Sequence, residues 1–315
     1  MKNFTLAIHG GAGTILQKDL TPELEQAYRA GLREALIAGF SILEKGGSSV
    51  EAVLAATVSL EDNILFNAGR GSVFTKDGKH EMDASIMNGK TLDAGAVSGI
   101  SNIRNPVLLA CEIMQHSNHI YLNGQGAEAF AKKQGLKFDT DEYFFSKFRY
   151  DQLKAIQDSD KYALDHSLEN AGTSTKEKKF GTVGAVACDR FGNIAAATST
   201  GGMTNKQYGR IGDSPLIGCG TYANDKTCAI SCTGHGEIFI QAVAAYDVSC
   251  LMEYKGYSLE EAMNIVTNDK LVKLGGEGGM IGVDAKGNAA LTFNSAGMYR
   301  GVKNNFGWEE IAIYG

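Results

Sequence analysis

The chain has 315 residues, 43% of them hydrophobic, and a formal net charge of −6. That length suits a single layered α/β unit, able to bury roughly three quarters of its unfolded surface. The acidic balance, with no Lys/Arg block, argues against nucleic acid or an anionic membrane as partner, and no apolar run reaches spanning length.

Phe4–Ile8 reads as a first strand and is too short and too soon interrupted for a signal peptide. His9-Gly10-Gly11-Ala12-Gly13 follows as a glycine loop, but the third glycine of a dinucleotide fingerprint would fall on Leu16, so a cofactor there is not expected. A helix is predicted from Thr21-Pro22, with Leu24, Tyr28, Leu32, Leu36, Phe40 and Leu43 on one stripe, and Gly46-Gly47 stops it. Ser48-x-x-Glu51 is a capping box for the next helix. Ser72–Thr75 and Met82–Met87, around Asp77-Gly78, carry a hairpin signal. Helices are predicted over 105–115 and 124–134.

Residues 158–179 break the pattern. Nine of these 22 residues are charged and five are apolar, too few to hold one conformation by burial. Long unstructured loops inside a compact domain are uncommon unless they serve a function. Strands are then expected at Thr182–Asp189, Asn193–Thr200, Ile217–Tyr222 and Thr227–Cys232. Gly234-His235-Gly236 opens one long helix carrying Ile238, Val243, Val248 and Leu251, and Ser258-x-x-Glu261 caps another. A hairpin at Met280–Val283 and Ala289–Phe293 and a last strand at Ile311–Tyr314 close the chain. Strand pairs and helix pairs in blocks predict sheets with helices on their outer faces.

The six cysteines form no CxxC pair, and the expectation is reduced thiols in a cytoplasmic protein. Cys228 and Cys232 share one face of a strand and read as core. His116-x-x-His119 has no third ligand and reads as a solvated helix end. There is no G-x-S-x-G elbow. What the chain does offer is Gly181-Thr182 at the boundary between the polar stretch and an apolar strand. A hydroxyl needs a base, and an α-amino group of pKa about 7.7–8.0 can serve as one near neutrality. A threonine freed at its own N-terminus holds both, whereas a buried strand that merely begins with threonine would look the same.

The downstream loops separate the two readings. Gly181–Ala187, Thr198-Ser199-Thr200-Gly201-Gly202, Gly209-Arg210-Ile211-Gly212-Asp213-Ser214-Pro215 and Thr233-Gly234-His235-Gly236-Glu237 occur in order, with His9–Gly13, Phe66-Asn67-Ala68-Gly69 and Met82–Met87 before them. Together they resemble the plant-type L-asparaginases, also called isoaspartyl peptidases or β-aspartyl-peptidases, over essentially the whole chain. The resemblance implies an N-terminal nucleophile hydrolase: a single αββα sandwich that cuts itself into 1–181, with 157–181 as a flexible tail, and 182–315, assembled as (αβ)₂. By position it makes Thr182 the nucleophile and Thr200 its partner. It assigns Arg210 to the substrate α-carboxylate and Asp213 to the α-ammonium. It also assigns Thr233 and Gly234 to the oxyanion hole, Gly236 to substrate binding, and Asn67 to support of the site from the first fragment. The implied substrates are L-asparagine and β-aspartyl dipeptides, with no cofactor in the chemistry. Relatives coordinate a structural sodium through main-chain oxygens of a loop that here comprises Leu60, Glu61, Asn63, Phe66 and Ala68. Ile64 stands where the family often has proline, which leaves that backbone less preset. Glycosylasparaginase is the nearest alternative and a non-catalytic binding paralogue the next; Gly181, Gly202 and Glu237 favour the asparaginase branch, and the full set of site residues argues against a lost activity.

Overall fold

A computed structural model describes residues 3–157 and 181–315; the polar stretch 158–179 lies outside them, whereas Gly181 and Thr182 lie inside. The strands are β1 (Thr5–Gly13), β2 (Met82–Asn88), β3 (Ala94–Ile100), β4 (Tyr121–Asn123), β5 (Val183–Cys188), β6 (Ile194–Thr200), β7 (Thr221–Ala223), β8 (Cys228–Gly234), β9 (Gly278–Asp284), β10 (Ala289–Phe293), β11 (Gly297–Asn304) and β12 (Glu309–Tyr314). Eight form one sheet in the order β12-β11-β1-β5-β6-β2-β3-β4, and four form a second, β10-β9-β8-β7. Pairing is antiparallel except between β3 and β4.

Period-two patterning decides how the sheets stack. Leu6 and Ile8 of β1, with Val183, Ala185 and Ala187 of β5, point into a core shared with helices α1 (Pro22–Glu44), α2 (Ser49–Asp62) and α3 (Pro106–His116). The intervening Ala7, Val186 and Cys188 meet Ala229, Ile281 and Val283 of the smaller sheet. The other face of that sheet, Cys228, Ile230, Cys232 and Met280, is covered by α8 (Ala244–Lys255) and α9 (Leu259–Asn264). The protein is thus a mixed α/β structure with two facing sheets and helices outside them. Because β5 and β6 are covered on both sides, every residue in them is buried, and small residues let the layers approach. Among the described residues no helix is long and apolar enough to cross a membrane.

The helix punctuation works as its chemistry requires. Thr21 Oγ1 accepts the Leu24 N–H at 3.3 Å with Pro22 opening α1, and both capping boxes close in both directions. Cys228 and Cys232 are core residues, and all six cysteines are free thiols.

Three expectations are corrected. Ser72–Thr75 is not a strand: the Val73 N–H turns to Asn67 Oδ1 (2.9 Å) and the Thr75 N–H to Lys79 O (2.8 Å), so β2 pairs with β3 and β6 instead. The strand expected from Ile217 begins at Thr221, because the Gly218 N–H folds back onto Thr221 O at 2.8 Å. The long helix from Gly236 is two, α7 (Gly236–Ala242) and α8, broken at Val243. There the N–H groups of Ala245 and Tyr246 leave the helix to bond Cys219 O and Gly218 O (3.2 and 2.8 Å). β4, α6 (Lys147–Ile156) and β11 were not anticipated by the periodicity.

The break forces Val243 to φ +48°, ψ +48°, a left-handed conformation that a β-branched residue adopts only under strain, and its side chain is 42% exposed rather than core. Val243→Asn is expected to stabilise the fold by about 1 kcal/mol, since asparagine tolerates this region and little packing is lost. A rise in the denaturant midpoint at constant m-value checks it; a fall would show that the bend is not strained.

Candidate active site

β5 begins at Val183, paired with Ser199 of β6, so Thr182 stands at the mouth of the strand with its Oγ1 turned towards that neighbour. It donates to Thr200 Oγ1 at 3.2 Å, and Thr200 Oγ1 donates to Gly181 O at 3.1 Å while accepting the Gly202 N–H at 2.9 Å. The Gly181 carbonyl receives a second donor, Asn67 Nδ2, at 2.7 Å. The same Nδ2 reaches Gly202 O at 2.8 Å, and the Val73 N–H bonded to Oδ1 fixes which way the amide faces. Asn67, expected only as support, therefore sits on the peptide bond that precedes Thr182.

Gly181, Thr182, Thr200, Gly202, Arg210, Asp213 and Gly234 line one small cleft of about 10 Å³, room for no more than about one water. Volume does not mark the site: a cavity of about 910 Å³ lies elsewhere, between Asp225, Tyr257, Asp284 and Trp308. Arg210 is held from Nε and Nη2 by the two oxygens of Glu237 (2.9 and 2.8 Å), a fork-to-fork pair. Asp213 is 3% exposed, and among the described residues its Oδ2 has no hydrogen-bond partner. Burial pushes its carboxyl up to about 7 against the pull of Arg210. A buried, unpartnered carboxylate oxygen beside a guanidinium suits a ligand that brings both an ammonium and a carboxylate. Gly236 packs where a Cβ would stand 2.9 Å from both Arg210 Nη2 and Asp213 Oδ1, so any side chain there would push into the pair. Gly234 reaches the cleft; Thr233 lies deeper, fully buried, with its Oγ1 accepting the Ala12 N–H at 3.2 Å.

The loop after α2 carries Asn67 into place. Glu61 is fully buried, its Oε1 accepting from Ser199 Oγ (2.6 Å) and Val107 N (2.9 Å), and burial pushes its carboxyl up to about 8. The buried Arg149 guanidinium donates to Leu65 O and Gly71 O (3.1 and 3.2 Å). Among the described residues no three His, Cys, Asp or Glu side chains gather as a metal site.

Sequence reasoning missed three groups here. Lys206 is buried behind Gly202, its Nζ donating to Glu81 O at 2.7 Å. Arg149 stands in no sequence motif. His9, read only as the start of a glycine loop, bonds Thr182 O through Nδ1 at 2.9 Å. In the sequence His9 stands beside glycines and 173 residues from its partner, so local pattern carries no signal of it.

Comparison with known proteins bears on the whole chain. The asparaginase family profile matches residues 2–313. The isoaspartyl peptidase of Salmonella typhimurium is 51% identical over 300 residues, covering 95% of each chain, and that of Escherichia coli is 50% identical over 301 residues, covering 95% of this chain and 92% of its own. The probable isoaspartyl peptidase/L-asparaginase 2 of Arabidopsis thaliana is 41% identical over the full length of both. With a family profile and half-identical relatives spanning nearly every residue, this chain belongs to the asparaginase family.

Proposed function

We propose that the protein is a self-processing hydrolase that releases L-aspartate from L-asparagine and from β-aspartyl dipeptides. The observation that carries this reading is that Thr182, Arg210 and the unpartnered Asp213 line one cleft. The names of the relatives, isoaspartyl peptidase and isoaspartyl peptidase/L-asparaginase, point the same way.

The first substrate is the chain itself. Thr182 Oγ1 attacks the Gly181 carbonyl carbon, and the oxygen that gains charge is held by Asn67 Nδ2 and the Thr200 hydroxyl. The C–N bond breaks as the nitrogen takes up the hydroxyl proton, leaving an ester, and water cleaves the ester. The products are a Gly181 carboxylate and a free Thr182 amine. Cleavage frees Gly181, which lines the cleft, and so widens a cleft that is too small for substrate in the uncut chain.

In the cut enzyme the amine takes the proton of Thr182 Oγ1, which attacks the side-chain carbonyl of the bound aspartyl residue. Arg210 holds the α-carboxylate and Asp213 the α-ammonium. The Gly234 N–H and Thr233 hydroxyl are the proposed donors to the developing oxyanion, each donor of this kind being worth about 2.7–4 kcal/mol. Ammonia or an amino acid leaves, and water releases aspartate. The clamp requires both backbone charges of the aspartyl residue to be free, so an α-linked asparagine inside a protein is not a substrate.

The finer architecture of this reading is the four-layer αββα sandwich of N-terminal nucleophile hydrolases, supported by two facing sheets with helices outside. An (αβ)₂ assembly and a cytoplasmic location with reduced thiols belong to the same proposal. A structural sodium in the loop around Asn67 belongs to the same proposal. Its donors would be the main-chain oxygens of Leu60, Glu61, Asn63, Phe66 and Ala68, an all-oxygen set suited to a hard cation. Gly69 and Gly71 keep the backbone open there: a Cβ on Gly69 would stand 2.6 Å from Glu61 O, and one on Gly71 would strike Phe66 O. The ion would order the loop and takes no part in the chemistry.

One assay tests the reading: L-asparagine, β-Asp-Leu and N-acetylglucosaminyl-asparagine compared across pH. The first two are turned over, and preference for the glycosylated compound would move the chain to the glycosylasparaginase branch. KM for L-asparagine is expected to rise as pH falls, because only the ionised Asp213 attracts the ammonium and burial raises its carboxyl above the usual carboxylate range. Asp213→Asn should raise KM and flatten that dependence; an unchanged profile would remove Asp213 from the clamp.

A further inference from the structure

Between the two sheets runs a line of buried polar side chains that the reaction above leaves unused. His9 of β1, Ser231 of β8, Thr198 of β6, Thr221 of β7 and Ser85 of β2 are all fully buried. His9 Nδ1 lies 2.9 Å from Thr182 O, and His9 Nε2 lies 2.9 Å from Ser231 Oγ. Ser231 Oγ is 2.7 Å from Thr198 Oγ1, which is bonded to Thr221 Oγ1, itself 2.8 Å from Ser85 Oγ. Ser85 Oγ also stands 2.6 Å from Ser214 O, the residue after Asp213.

The direction of these bonds follows from one atom. Thr182 O can only accept, so Nδ1 carries the proton. Burial holds the imidazole down to about 3, so near neutrality the ring has that one proton and Nε2 is a bare acceptor. Ser231 must then donate to Nε2, which leaves its oxygen to accept from Thr198, and Thr198 to accept from Thr221. Chains aligned in one sense reinforce each other. Gly184, paired with His9 across β1 and β5, leaves the space this needs, since a Cβ there would collide with Ser231 Oγ and stand 2.6 Å from His9 Nε2.

The need for such a restraint is created by cleavage. Thr182 precedes the β5–β6 ladder, which starts at Val183, and its carbonyl is satisfied by the His9 side chain instead. Once cut, Thr182 is a chain end, and chain ends fray unless tied down. We propose that His9, kept in its Nδ1–H form by Ser231, is a positioning residue that pins the Thr182 carbonyl and thereby aims the Thr182 hydroxyl and amine. This rests on the reading of Thr182 as the nucleophile.

The experiment uses the cut enzyme, with rates expressed per cut chain. His9→Leu is expected to lower kcat about 10- to 100-fold, the scale of a small misplacement of reacting groups, with KM little changed because Arg210 and Asp213 are untouched. His9→Asn, whose amide can present an N–H near the Nδ1 position, should recover most of the loss. Ser231→Ala touches neither Thr182 nor substrate, yet it should lower kcat by freeing the ring to change tautomer. Nitrogen-15 spectra of the imidazole should report a protonated Nδ1 and bare Nε2 in the wild type and in uncut Thr182→Ala, and a mixture in Ser231→Ala. Wild-type kcat in Ser231→Ala, or a protonated Nε2 in the wild type, would overturn the proposal, and both can be read even if His9→Leu does not fold. Turnover by Thr182→Ala would instead sink the nucleophile reading and leave the tautomer measurement standing.

Discussion

Thr182→Ala is expected to run on a denaturing gel as one 315-residue chain and to hydrolyse neither L-asparagine nor a β-aspartyl dipeptide. On the proposed mechanism the substitution removes the hydroxyl that attacks Gly181, so no amine is freed, and it removes the hydroxyl that attacks substrate. Both roles fall on one oxygen, and loss of a nucleophile costs about 10⁴-fold or more in turnover. The fold should survive: Thr182 is outside the β5–β6 ladder, and the side chain gives up a single bond to Thr200, worth about 1 kcal/mol. A cooperative melt close to that of the wild type, with one band and no turnover, is the predicted combination. Thr182→Ser keeps hydroxyl and amine but loses the β-branch that limits the rotamer, so it should cut and turn over more slowly. Two bands from Thr182→Ala would mean that the cut does not depend on the Thr182 hydroxyl.

The second large effect is predicted at Asn67, on cleavage rather than turnover. Its Nδ2 is, among the described residues, one of two donors on the Gly181 oxygen, and its Oδ1 is already committed to the Val73 N–H. Asn67→Ala should slow the appearance of the two fragments about 10²- to 10³-fold, the usual cost of one oxyanion donor. Asn67→Asp should be worse, because it turns a carboxylate towards Gly181 O and Gly202 O. In molecules that do cut, Gly181 has left and the loss in kcat should be far smaller. That split separates a role on the scissile bond from general damage; cleavage at the wild-type rate in Asn67→Ala would remove the residue from the first step.

Much of this was legible in the chain because it depends on neighbours in sequence. The Thr21-Pro22 start, the two Ser-x-x-Glu boxes and the β5–β6 hairpin are local devices, and each forms as its residues predict. The site loops were recognisable as short motifs, and they converge on one cleft. What escaped depends on groups far apart in sequence. Ser72–Thr75 has the composition of a strand, yet an asparagine side chain takes its first N–H. Val243 fits an apolar helical stripe, yet two carbonyls from the 218–219 turn draw the next N–H groups away. His9 and Ser231 are 222 residues apart and meet only because β1 and β8 face each other from the two sheets.

The order of the large sheet has a consequence for how the molecule is made. A cut after Gly181 would deal its strands alternately to two chains: β12 and β11 to the second, β1 to the first, β5 and β6 to the second, and β2, β3 and β4 to the first. The pieces are dovetailed, and neither could slide out without unravelling the other. The donors on Gly181 come from residues 67 and 200, and the strand beside β5 has its far edge filled by residues 297–304. A chain still being synthesised, or one stalled short of β11, lacks that arrangement. Scission there would therefore act as a receipt for completed folding, and the ratio of two bands to one on a gel would count the molecules that reached the native state.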